Sequence, residues 1–239
     1  MARIGKIAFA LLMLVSVVAA VIPLTRDVYQ RPVRSVRIVG EFEHVTREHL
    51  RAAIETKLQS GFFGVDVGAV RELARQLPWV RDVKVERVWP DSLNITLLER
   101  SAVARWNDDA LLENDASLFR PRGGIENYTY TQLLGPVGKH VYMLERYKRL
   151  ATAFGTFGGG IRALSLSQQG QWEITFGNDM TLIPGTQLDV DALKAFANVM
   201  PRVLGTEIAR VERIDLRYAN GFAVRWRKPD ALQTQGEKG

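Results

Sequence analysis

The groups in this 239-residue chain that could activate a nucleophile, hold a metal or move a proton near neutrality are few: three histidines, His44, His49 and His140, and no cysteine. Without a thiol there is no thiolate nucleophile, no cysteine-ligated zinc, no iron–sulfur cluster and no disulfide framework. His44 and His49 stand five residues apart, a spacing that does not bring both to one helix face, and His49 lacks the His-Glu-x-x-His pattern of a zinc helix. All three are expected to be solvated or hydrogen-bonded surface imidazoles. Asp108 and Asp109, and likewise Asp189 and Asp191, fall where turns and helix caps ordinarily carry charge. The run Gly155-Thr156-Phe157-Gly158-Gly159-Gly160 has no Gly-Lys-Ser/Thr ending, so it predicts a turn after a helix and not a phosphate cradle. No Gly-x-Ser-x-Gly elbow occurs. The expectation is a protein that is not an enzyme, with no catalytic residue, metal ligand, cofactor or small-molecule substrate.

Chemistry of recognition is better represented. The 32 Lys and Arg exceed the 26 Asp and Glu to give a net charge of +6. Along most of the chain the two signs interleave, as in Arg71-Glu72, Arg81-Asp82 and Glu99-Arg100, which suits a solvated surface and not a phosphate-binding stripe. Nucleic acid is therefore not an expected partner. The exception is the last patterned segment. Ile214, Leu216 and Tyr218 alternate with Arg213, Asp215 and Arg217; Asn220-Gly221 is a type I′ turn pair; Phe222, Val224 and Trp226 alternate with Ala223, Arg225 and Arg227. This predicts a hairpin with a basic fringe. A strand at the end of a domain is often an edge, whose unpaired backbone groups can accept a partner's strand, and positive charge there favours an acidic partner. The same pattern arises when the strand is internal, or when its charges only guard the edge.

The elements that would position this hairpin follow from periodicity. Residues 7–25 are uncharged and mostly Ala, Leu, Val, Ile, Met and Phe, about 28 Å as a helix and close to the thickness of a bilayer core. A retained single-pass anchor is the expectation, with residues 1–6 as a cytoplasmic tail and 26–32 as a linker; a cleaved leader is the alternative. Either way the rest of the chain is exported. Next, Val36 and Ile38 predict a strand; Leu50, Ala53, Ile54 and Leu58 a helix capped by Thr46; Val67, Val70, Leu73, Ala74 and Leu77 a second helix capped by Asp66. Alternation through Val83 and Val85, then through Leu93, Ile95 and Leu97, predicts two further strands around a turn at Trp89-Pro90-Asp91-Ser92. The order β-α-α-β-β is self-contained, because two amphipathic helices can cover one face of a three-stranded sheet. From residue 102 the rhythm changes to short strands, with helices near residues 138–154 and after Asp189, so the fold class is α+β. Residues 229–239 read as a polar, disordered tail.

Five motifs in order carry a resemblance: Leu77-Pro78-Trp79-Val80; Val83-Lys84-Val85; Trp89-Pro90-Asp91-Ser92-Leu93; Ala104-Arg105-Trp106-Asn107-Asp108; and Ile214-Asp215-Leu216-Arg217-Tyr218 with Gly221 and Trp226. Together they resemble the bacterial FtsQ/DivIB cell division family from the membrane span to the last strand. The resemblance implies a type II single-pass inner-membrane protein concentrated at the division septum, with a POTRA domain over residues 33–101 and a periplasmic β domain over 102–228. It further implies a non-enzymatic scaffold of the divisome that joins FtsB and FtsL in a subcomplex and so helps control septal peptidoglycan synthesis. In such proteins FtsB adds a strand to the edge of the β domain, which places Arg217 and Tyr218 in the contact, with Phe222, Val224 and Trp226 framing the strand. Arg217 would pair an acidic side chain. Val85 and Arg87 correspond to a region concerned with recruitment to the septum. A POTRA-containing component of an envelope transport or assembly system is the alternative function.

Overall fold

The computed structural model describes residues 12–17, 32–218 and 221–228. The expected membrane span, residues 7–25, falls mostly outside these, and only 12–17 are described, as helix. Among the described residues no helix is long and apolar enough to cross a membrane. The Asn220 half of the expected turn and the tail at 229–239 also lie outside the described residues. The chain divides into two compact units, Met1–Arg100 and Ser101–Gly239.

In the first unit, strand β1 (Ser35–Val39) is followed by helix α1 (Arg47–Leu58), a single helical turn at Gly61–Gly64, helix α2 (Val67–Arg75), and strands β2 (Val80–Val88) and β3 (Ser92–Glu99). Both helix starts are fixed by side chains. Thr46 Oγ1 accepts the N–H of His49 at 3.2 Å, and Asp66 Oδ1 accepts those of Gly68 and Ala69 at 2.9 and 3.1 Å. Each cap satisfies donors that a helix terminus would otherwise leave open. The sheet order is β1-β3-β2, with β3 parallel to β1 and antiparallel to β2. Leu50, Ile54, Val70 and Ala74 of the helices and Val83, Leu93 and Ile95 of the strands are buried, so alternation on the strands meets the apolar stripes of the helices. Trp79 is also buried and lies flat on His44, ring centroids 3.6 Å apart. Glu99 accepts the backbone N–H groups of His44 and Val45. His44 is thus a packing residue of this unit.

The second unit contains a nine-stranded sheet: β4 (Ala102–Trp106), β5 (Ala110–Glu113), β6 (Leu118–Phe119), β7 (Gln132–Leu134), β8 (Ile161–Leu166), β9 (Trp172–Phe176), β10 (Thr181–Gly185), β11 (Val211–Asp215) and β12 (Ala223–Trp226). Its order is β12-β11-β10-β9-β8-β7-β4-β5-β6. Parallel neighbours need a long crossover, and two of the three parallel pairs receive a helix. Helix α3 (His140–Phe154) joins β7 to β8, and α4 (Val190–Leu204) joins β10 to β11. Met143, Leu150 and Phe154 of α3 and Leu193 and Ala197 of α4 bury against Leu164, Ile174, Leu182 and Ile214 of the sheet. On the strands, the alternate residues, Ser165, Glu173, Thr181 and Arg213, face the other way and reach solvent.

Local chemistry holds the ends of these strands in place. Asn107, at φ +45°, donates from Nδ2 to Gly135 O and accepts the Gly135 N–H at Oδ1, tying the turn after β4 to the end of β7. Asn tolerates this left-handed conformation better than most residues. The glycine run after α3 forms a turn, as its composition predicts. Gly158 there has φ +60° and lies against Phe176, where a Cβ would come within 2.8 Å of the Phe176 Cβ. Asp189 caps α4 by accepting the N–H groups of Asp191 and Ala192.

Candidate functional site

Strand β12 is one edge of the nine-stranded sheet. Among the described residues it pairs antiparallel with β11 alone, Asp215 opposite Ala223, Ile214 opposite Val224 and Arg213 opposite Arg225. Arg227 N–H bonds inward to Arg210 O at 2.8 Å. Because successive residues of a strand present their N–H and C=O groups to opposite sides, Ala223 and Arg225 also face β11, and Val224 and Trp226 present their backbone groups outward. The edge can therefore extend the sheet by one strand.

The five hairpin residues expected to make a contact are brought together, but in different settings. Tyr218 is 61% exposed, and Phe222 and Trp226 are each 43% exposed. Val224 is half-buried against the core beside Leu216, so it offers backbone to a partner and keeps its side chain inside. Alternation puts Trp226 on the same side of the sheet, opposite the buried Val211. The strand expected to run to Tyr218 ends at Asp215. Leu216 still donates to Ile183 O at 2.9 Å, and the chain then leaves the sheet.

Arg217 is committed within the chain. Its Nε and Nη2 hold the Asp215 carboxylate at 2.9 and 2.6 Å, and its own N–H donates to the same group at 3.1 Å. The guanidinium keeps the Asp215 carboxyl below the usual carboxylate range, and Asp215 in turn raises the Arg217 pKa, chiefly through the hydrogen bonds between them. The stem of Arg217 crosses Gly185, where a Cβ would sit 3.3 Å from the Arg217 Cγ. Neighbouring cations are paired more loosely: Arg213 lies 3.4 Å from Glu173 and Arg225 lies 3.9 Å from Glu212. Arg227 donates to Asn178 O.

From this hairpin an open groove of about 580 Å³ runs across the outward face of the sheet, lined among others by Leu134, Leu166, Ile183, Arg213 and Arg217. The register explains its course: Leu134 is opposite Ser165, Ser165 opposite Glu173, and Ile183 opposite Asp215, so the lining comes from five strands in one cross-strand row. Ile183 and Arg213 could not be found by sequence reasoning, because the residues that meet in the groove are far apart in the chain. Only the alternation of each strand hinted at their direction.

Val85 and Arg87 belong to the first unit. Val85 is half-buried opposite Ile95, next to the buried Val83. Arg87 turns its guanidinium onto main chain, donating to Phe62 O at 3.3 Å and Val65 O at 2.5 Å. Among the described residues no group of three or more His, Asp or Glu is placed to hold a metal ion.

Residues 31–100 match the family described as POTRA domain, FtsQ-type, and residues 104–217 match the one described as Cell division protein FtsQ/DivIB, C-terminal. A cell division protein FtsQ of Coxiella burnetii is 31% identical over 91% of this chain and 89% of its own length. The chain belongs to the FtsQ/DivIB family of cell division proteins. Similar matches include the cell division proteins FtsQ of Xanthomonas campestris pv. campestris, 31% identical over 81% of this chain and 69% of the relative, and of Burkholderia pseudomallei, 32% identical over 82% and 81%. The FtsQ/DivIB match ends at Arg217, just before Tyr218 and ahead of β12.

Proposed function

We propose that the chain is a non-enzymatic divisome scaffold, anchored in the inner membrane by residues 7–25 with its two units in the periplasm, that captures FtsB, in subcomplex with FtsL, by strand addition to β12. The observation that carries this reading is the outer edge of β12, unpaired among the described residues, flanked by exposed Tyr218, Phe222 and Trp226 and by a groove that ends at Arg213 and Arg217. Val224 and Trp226 together offer two N–H and two C=O groups, a ladder worth about 0.5–1.5 kcal/mol per bond. The aromatic side chains add apolar burial, and the groove gives room for the partner to continue beyond the strand. An acidic side chain of the partner would bind Arg217 on the side not used by Asp215, or exchange with it.

The test is calorimetric titration of an FtsB segment into the full chain and into Tyr218→Asp. Tyr218 is largely exposed, so the variant keeps its fold, and a loss of at least about tenfold in affinity is expected. Unchanged affinity would overturn the site. A fluorescent fusion that fails to gather at mid-cell would instead favour an envelope transport role.

A further inference from the structure

The first unit carries an aromatic tip. The β2–β3 turn carries Trp89, 69% exposed, and Val88, 48% exposed. The indole is held edge-on by Phe62 and Phe63, both centroids 5.4 Å away, so it projects on a rigid base. The turn is also clamped to the start of β1. Arg34 N–H donates to Asp91 O at 2.9 Å, Arg34 Nε lies 3.3 Å from Asp91 Oδ2, and Ser35 Oγ donates to Ser92 Oγ at 2.7 Å.

That clamp fixes the distance of the tip from the apolar run. Eight residues separate Thr25 from Arg34, a reach of at most about 30 Å and roughly 17 Å for a flexible chain. Strand β3 then leads away from the tip for eight residues, so the opposite end of the sheet lies about 25 Å from the tip. Arg34 at the tip is exposed and paired with Asp91, and the sequence between it and the apolar run holds Arg26 and Arg31 against a single acid, Asp27. An exposed indole, joined to the apolar run by a linker of net positive charge, suits the headgroup layer of an anionic bilayer, where one end of the ring is apolar and the other wet.

We infer that Trp89, with Val88, inserts into the interfacial layer of the bilayer that holds the chain's own apolar run, and so docks the first unit against the membrane through its β2–β3 turn. The inference rests on residues 7–25 being a bilayer span, as proposed above, and the experiment separates the two. The full chain and Trp89→Phe are reconstituted into vesicles of phosphatidylethanolamine and phosphatidylglycerol brominated near the headgroup end of the acyl chains. The difference between the two emission spectra reports Trp89, because the other four tryptophans are common to both. Docking predicts that this component is blue-shifted and at least halved by the brominated lipid. It also predicts that Trp89→Ala speeds tryptic cleavage at Arg26 and Arg34 several-fold in vesicles. A chain that floats with the vesicles in alkaline carbonate yet leaves Trp89 unquenched overturns docking and spares the anchor; that result would point to a soluble occupant of the tip. A chain that does not float overturns both.

Discussion

Arg87 offers a sharp test of how the first unit is held together. Its guanidinium spans two carbonyls, Phe62 O at 3.3 Å and Val65 O at 2.5 Å, in the segment between α1 and α2. Arg87→Met keeps most of the stem and removes both charge-assisted bonds. Such bonds contribute about 1.5–3 kcal/mol each when well shielded. Arg87 is exposed along part of its length, so water replaces some of that and the expected loss is roughly 1.5 kcal/mol in total. In hydrogen exchange followed by mass spectrometry, a loss of that size speeds exchange of the amides between residues 61 and 66 about tenfold, with little change in the second unit. Arg87→Lys restores only part of the protection, because an ammonium cannot fork across two carbonyls as a guanidinium does. Any failure of septal recruitment in Arg87→Met should then track the loosened segment. Unchanged exchange together with lost recruitment would refute the reasoning and make Arg87 a contact residue.

Two further outcomes are expected. Asp215 has a depressed pKa in the folded chain, so its bonds to Arg217 stabilise the hairpin above the ordinary carboxylate range and are lost as pH falls through the folded value. The difference in melting temperature between the wild type and Asp215→Asn should therefore be constant above about pH 5 and shrink below about pH 4. A gap that widens in acid would contradict this. Gly158→Ala places a methyl group 2.8 Å from the Phe176 Cβ at φ +60°, and should cost roughly 1–3 kcal/mol, read as a lower urea midpoint with an unchanged slope.

What could be read from the sequence is what local physics decides. The caps at Thr46, Asp66 and Asp189 hold because a side-chain oxygen near free N–H groups acts within three residues. Alternation located β3, β9 and β12, and the apolar stripe through Met143, Leu150 and Phe154 located α3. The helical turn at Gly61–Gly64 was hidden by its glycines, which composition assigns to a loop. Strand β11 was drawn too long because Leu216 and Tyr218 continue the period-two pattern; the Asp215–Arg217 clamp turns the chain before that pattern ends. Alternation put Tyr218 and Phe222 on the hairpin and the resemblance named them as contact residues; in the structure both side chains are exposed. The groove was not legible at all, since it depends on the register of five strands across parallel crossovers.

The crossover through α4 also bears on the order of events in folding. Strand β12 is the last described element, and its sheet partner β11 reaches the rest of the molecule only by a parallel pairing with β10 across a helix of fifteen residues. Non-local parallel pairings form late, after closure of the intervening chain has been offset by other contacts. Synthesis from the N-terminus delays this edge further. A copy interrupted before residue 223 has the POTRA unit and most of the sheet but ends on β11 or earlier, with no β12 to present. If partner capture proceeds by strand addition to β12, as proposed, it requires a copy synthesised at least through residue 226.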